Sequence, residues 1–228
     1  MKNIPFPSRT RFQPAPAFTL VEMLVVITII TVMLTIGALG LKNLSKASGV
    51  SAGLPIAEAV FAEARAIAVG KGTRARVLIH GTNDKDDELH RERFLRYMAI
   101  AYEELDNDGN GNGNWIIASR GSKLPDGVYF SKDLTEKQGY TLESPMTIEL
   151  PGKSSTSCYY YEFNAEGMIQ PAPVGNDVPR FVIRAGTLRP GDTEPQATSG
   201  NKRNIGGFVI WRSGRTSVFR HPDQIEIE

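Results

Sequence analysis

The chain has 228 residues, 41% of them apolar, which is enough for one ordinary domain with appendages and a normal share for a chain that folds around a core. A formal net charge of +1 gives no case for nucleic acid or a strongly acidic partner. The single cysteine, Cys158, excludes an intramolecular disulfide.

Charge is uneven along the chain. Residues 1–17 carry Lys2, Arg9 and Arg11 and no acid, so they hold +3 and leave −2 for the remainder. From Phe18 to Leu41 the sequence reads FTLVEMLVVITIITVMLTIGALGL, 24 residues with one charge, Glu22. As a helix this run would be about 36 Å long, more than the roughly 30 Å hydrocarbon core of a bilayer. It predicts a single membrane-spanning helix over 18–41. Lys42 and Lys46 follow at the far interface, and the basic leader places the N-terminus inside and the C-terminal domain outside.

Three plainer readings compete. For a secretory signal peptide, the A-x-A-like Ala15-Pro16-Ala17 stands before the apolar run instead of after it, and the run exceeds the usual 7–15 residues or so. A plain anchor leaves Glu22 unexplained, because a carboxylate at mid-membrane costs about 2.5–3.5 kcal/mol. A buried core helix would need a polar face that this run lacks.

The hexapeptide Ala17-Phe18-Thr19-Leu20-Val21-Glu22 resembles the processing site of type IV prepilins and type II secretion pseudopilins. The resemblance implies cleavage by a prepilin peptidase between Ala17 and Phe18, N-methylation of Phe18, and an assembly role for Glu22, the fifth residue after the cut. The family usually has Gly before the cut, where this chain has Ala17. The implied partners are other pilin or pseudopilin subunits, the prepilin peptidase, an inner-membrane assembly platform and the lipid bilayer. The implied location is the inner membrane, single-pass, with a periplasmic C-terminal domain that can be drawn into a filament. Physically, a carboxylate in lipid seeks a cation, and the Phe18 amino group of a neighbouring subunit can supply one. Thr28, Thr31 and Thr35 are tolerated there through local bonds to backbone carbonyls. Gly37 and Gly40 fit ordinary membrane-helix composition or close helix packing.

Beyond the span, residues 42–72 continue the helix on the periplasmic side. Gly49, Gly53 and Pro55 are expected to kink or break it. The alanine-rich stretch that follows puts Ile56, Val60, Ala64 and Ile67 on one face, and Gly70 and Gly72 end it. Short strands are then predicted over 74–80, 94–102, 115–118, 128–130, 147–150, 159–163, 181–184, 208–211, 216–219 and 225–227. Loops are expected over 171–178 and 189–204. The expected fold class is α+β: a long N-terminal hydrophobic, pilin-like helix followed by an antiparallel β globular domain over 73–228.

Ala64-Arg65-Ala66-Ile67-Ala68-Val69-Gly70, Phe163-Asn164-Ala165-Glu166-Gly167 and Val209-Ile210-Trp211-Arg212-Ser213-Gly214 are loosely similar to segments of GspH/FimT-like minor pseudopilins. The long inserts at 82–93 and 103–114 also fit a lineage-specific pseudopilin of the Verru/Chthon cassette group.

Asp106, Asp108 and Asn110 at alternate positions, then Gly111 and Asn112, match the first half of a Ca2+ loop. The position that should carry a bidentate Glu is Ile117, so an Asn/Gly hairpin is the competing reading. His80, His90 and His221 lack metal-type spacing. The run Asp84-Lys85-Asp86-Asp87-Glu88 reads as a solvated loop or helical turn, and Tyr159-Tyr160-Tyr161 as a strand with one side in the core. No catalytic motif is present, so no enzymatic activity is expected. The readings are a structural filament subunit serving secretion or a pilus; a DNA-binding minor pilin using Arg180, Arg184, Arg189, Lys202, Arg203, Arg212, Arg215 and Arg220; or a membrane-anchored periplasmic binding module.

Overall fold

The computed structural model describes residues 19–84, 86–136, 140–151, 155–172, 178–197 and 203–220, without the side chains of residues 35–48. The bond between Ala17 and Phe18, His221, Lys202 and the strand expected over 225–227 lie outside the described residues. The chain divides into two compact units, Met1–Asn43 and Leu44–Glu228. Helix α1, Leu20–Lys71, contributes to both.

The expected long hydrophobic, pilin-like helix is corrected here. Among the described residues no helix is long and apolar enough to cross a membrane. From Val50 onward α1 is amphipathic instead. Val50, Leu54, Ala57, Phe61, Ala64 and Ala68 recur at intervals of four and three residues and are all buried.

The break expected at Gly49, Gly53 and Pro55 is also corrected, because α1 runs through all three. Proline in a helix interior costs about 3 kcal/mol. The flanking Leu54 and Ala57 are fully packed, and burial of a leucine alone returns about 1.5–3 kcal/mol. The helix ends in a Schellman motif: the Gly72 N–H donates to the Val69 carbonyl and the Thr73 N–H to the Ala68 carbonyl, with Gly72 at φ +64°.

The remaining elements are β1 Ala75–His80, α2 Glu88–Arg93, β2 Tyr97–Leu105, β3 Gly111–Ile117, β4 Ser122–Lys123, β5 Val128–Phe130, α3 Lys132–Thr135, β6 Met146–Glu149, β7 Ser155–Phe163, β8 Ile169–Gln170, β9 Arg180–Ala185, β10 Ile205–Ile210 and β11 Thr216–Phe219. They form two sheets with antiparallel pairing throughout. The first has the order β3-β2-β1-β7-β6, with β4 on β2 and β8 on β7; the second has the order β11-β10-β9-β5.

Alternation along β1 splits the packing. Val77 and Ile79 enter the main core with the α1 face, while Leu78 joins a smaller cluster on the opposite face with Tyr97, Ala99, Leu150 and Cys158. Phe61 is the hub of the main core. Its ring meets Tyr161 at 5.0 Å and Phe163 at 6.4 Å from the first sheet, and Phe181 at 5.3 Å and Phe208 at 4.9 Å from the second, all edge-on.

Phe61→Ala should therefore loosen both sheets at once. The expected loss is about 3–5 kcal/mol of unfolding free energy, measured by chemical denaturation followed through tryptophan fluorescence. A loss below about 1 kcal/mol, the scale of an ordinary surface change, would show that Phe61 is not the hub.

Candidate functional site

Of the residues singled out by the processing motif, Glu22 lies in the first turn of α1. Thr19 caps the helix: its Oγ1 accepts from the Glu22 N–H at 3.2 Å, and its carbonyl accepts from the Met23 N–H at 3.2 Å. Thr19-x-x-Glu22 is also the sequence pattern of a capping box. The Thr28 and Thr31 hydroxyls donate to the carbonyls of Leu24 and Ile27, each at 2.7 Å, so their polarity is satisfied within the helix. The apolar side chains around them are open. Twelve of them, from Leu20 to Leu34, are 43–82% exposed and point in all directions around the helix. Glu22 is exposed among them.

The Asp/Asn/Gly segment folds as the β2–β3 hairpin. Asp106 Oδ1 accepts from the backbone N–H groups of Asp108 at 2.9 Å and Asn110 at 2.8 Å. The Asn112 carboxamide donates to Glu104 at 2.9 Å and accepts from the Asn114 N–H at 2.8 Å. Asp106 and Asn112 thus use these oxygens to hold the turn. Among the described residues no group of three or more His, Cys, Asp or Glu side chains is arranged to hold a metal ion. Within the charged run, Glu88–Arg93 forms α2, capped by Asp87 Oδ1, which accepts from the Leu89 and His90 N–H groups. His90 Nδ1 lies 3.0 Å from His80 Nε2, so the sheet and α2 are joined by two buried imidazoles. Burial pushes the Cys158 thiol up to about 12, which makes it inert.

Two of the late basic residues are engaged within the fold. Arg180 is buried, and Arg184 pairs with Asp133 at 3.2 Å. A cavity of about 410 Å³ near α3 is lined by Leu95, Phe130, Lys132, Tyr159 and Arg184, among others. Its cations are matched, since Lys132 lies 3.7 Å from Glu136.

Sequence reasoning missed a network on the outer face of the first sheet. Arg74 forks onto the buried Glu103 with two 2.7 Å bonds and reaches Glu162 at 3.4 Å; Arg76 bonds Glu162 at 2.7 Å. The Arg76 guanidinium lies between the rings of Trp115, at 3.9 Å, and Tyr160, at 4.1 Å. The signal was the period of two that puts Arg74 and Arg76 on one side of a strand.

No family model matches the chain, and neither a curated protein nor a solved structure matches it.

The Arg74 hydrogen bond, opposed by burial, holds the Glu103 carboxyl below its ordinary value of 4.5. A depressed carboxyl stabilises the fold fully above that ordinary value, and the contribution is lost as pH falls through the folded-state value. Unfolding free energy should therefore drop on acidification below pH 4.5, and Glu103→Gln should flatten that drop. Identical pH slopes in the two proteins would remove Glu103 from the acid response.

Proposed function

We propose that the chain is a structural subunit of a pilus-type or secretion-type filament, processed by a prepilin peptidase before Phe18. The observation that carries the reading is the ring of exposed apolar side chains from Leu20 to Leu34 beside a lone exposed carboxylate, Glu22. Apolar surface open on every side of a helix needs lipid or other helices around it. In this reading the segment rests in lipid before assembly and is enclosed by neighbouring subunits afterwards. Glu22 is then neutralised by the Phe18 amino group of the next subunit, which fixes their axial offset. The compact unit from Leu44 onward is carried on the filament, in the manner of a GspH/FimT-like minor pseudopilin. The Ala17-Phe18 junction and its spacing to Glu22 support the same reading.

Two measurements test it. Mass spectrometry of the protein from a host with a prepilin peptidase should find a mature chain that begins at N-methylated Phe18. An intact leader, or a cut beyond residue 41, would sink the proposal. Separately, Glu22→Gln keeps the side-chain length and the capping pattern but removes the charge. Its incorporation into filaments beside the parent protein should fall by about tenfold or more, because one half of an enclosed ion pair is lost. Equal incorporation would rule out the pairing role.

A further inference from the structure

We infer that Asn110 is a site of spontaneous deamidation, and that the fold protects its near-twin Asn112. Both are followed by glycine at the exposed tip of the β2–β3 hairpin. Glycine has no side chain to hinder approach, so its backbone nitrogen can reach the preceding carboxamide carbon. In the reaction the Gly111 nitrogen attacks Asn110 Cγ. The N–Cγ bond forms, the Cγ–Nδ2 bond breaks, and ammonia leaves with the proton from the Gly111 amide. Water then opens the five-membered succinimide at either carbonyl, giving aspartate or isoaspartate.

The hairpin treats the two steps differently. The Asp106 N–H donates to the Asn110 carbonyl at 2.8 Å and the Asn110 N–H returns to Asp106 Oδ1 at 2.8 Å, so this pair closes the hairpin on its hydrogen-bonded side. Hydrogen-bonded and open pairs alternate in an antiparallel ladder, so the next pair, Leu105 with Gly111, is open. Because β3 is the outermost strand of its sheet, the Gly111 N–H then faces the free edge. At the second step every reacting group is held. The Gly113 N–H donates to Glu103 Oε1 at 3.1 Å, the Asn112 Nδ2 donates to Glu104 Oε2 at 2.9 Å, and Asn112 Oδ1 accepts from the Asn114 N–H at 2.8 Å. Attack at Asn112 requires these bonds to break first. Each event at Asn110 adds one negative charge to a tip that already holds Asp106 and Asp108, so the tip becomes more acidic with age.

The test is to age the full chain in detergent at mildly alkaline pH and quantify aspartate and isoaspartate at both positions by peptide mapping, with and without denaturant. In the folded chain Asn110 should react about tenfold or more faster than Asn112, since hydrogen bonds must be given up at Asn112. In denaturant the two rates should converge. Asn112 keeping pace with Asn110 in the folded chain would overturn the inference. So would an unreacted Asn110 over a period in which the denatured chain reacts.

Discussion

Helix α1 must satisfy two sheets with one face, and Phe61 is where that constraint concentrates. Its ring presents its edges to rings from β7 on one side and from β9 and β10 on the other. Aromatic pairs of this geometry contribute about 0.5–1.5 kcal/mol each beyond their area burial. The same helix pins a turn from each sheet. Arg65 Nε donates to the Gly167 carbonyl at 3.1 Å, and a Cβ on Gly214 would collide with that same carbonyl oxygen. The turn after β7 and the turn after β10 therefore close over one arginine. Thr216 adds a bond from β11 to Glu58 of the helix at 3.2 Å. Sheet order, turn composition and helix register are thus solved together.

The outer face of the first sheet meets a different problem, since charged groups must be withdrawn from water beside aromatic rings. Burying Glu103 alone would be costly, and the two-pronged bond from Arg74 offsets this. Arg76 is held between Trp115 and Tyr160 while Glu162 takes its charge. Glu103 also accepts from the Gly113 N–H, so the network reaches into the hairpin and stiffens one of its arms. The contrast between Asn112, which is held, and Asn110, whose following N–H faces the free edge of β3, follows from that reach.

Much of the second unit is legible in the sequence because strand alternation is sharp there. Val77, Leu78 and Ile79 show which neighbours face inward once the period is set. The strands β4 and β8 have two residues each and no period to read. On α1 the predicted face meets the core, with Val60 and Ala64 buried and Ile56 and Ile67 partly buried against it, but Ala57, Phe61 and Ala68 also belong to the buried face, and only tertiary packing separates one alanine from another. The break expected at Pro55 fails for the same reason, since packing outweighs local propensity. The Asp/Asn/Gly segment is ambiguous by composition, because a calcium loop and a tight hairpin use the same residues. The Asp106 and Asn112 oxygens accept backbone N–H groups within the hairpin. Thr19-x-x-Glu22 was readable as a helix cap, but a lone carboxylate in an apolar run draws the reading toward charge.

The magnitudes at the first helix assign different tasks to its apolar side chains and to Glu22. Twelve open Leu, Ile, Val and Met side chains forgo burial worth on the order of 20 kcal/mol in water. That dwarfs the roughly 2.5–3.5 kcal/mol cost of a carboxylate in an apolar environment. In the proposed filament, enclosure of the segment would therefore be driven by the apolar surface and would proceed with or without Glu22. Apolar contact is non-directional, however, and helices ringed by Val, Ile and Leu can slide along one another at little cost. A single buried charge with one acceptable partner removes that freedom, in the way a polar residue fixes register in a coiled coil. In the proposed filament, Glu22 would contribute specificity of position, and the surrounding side chains the affinity.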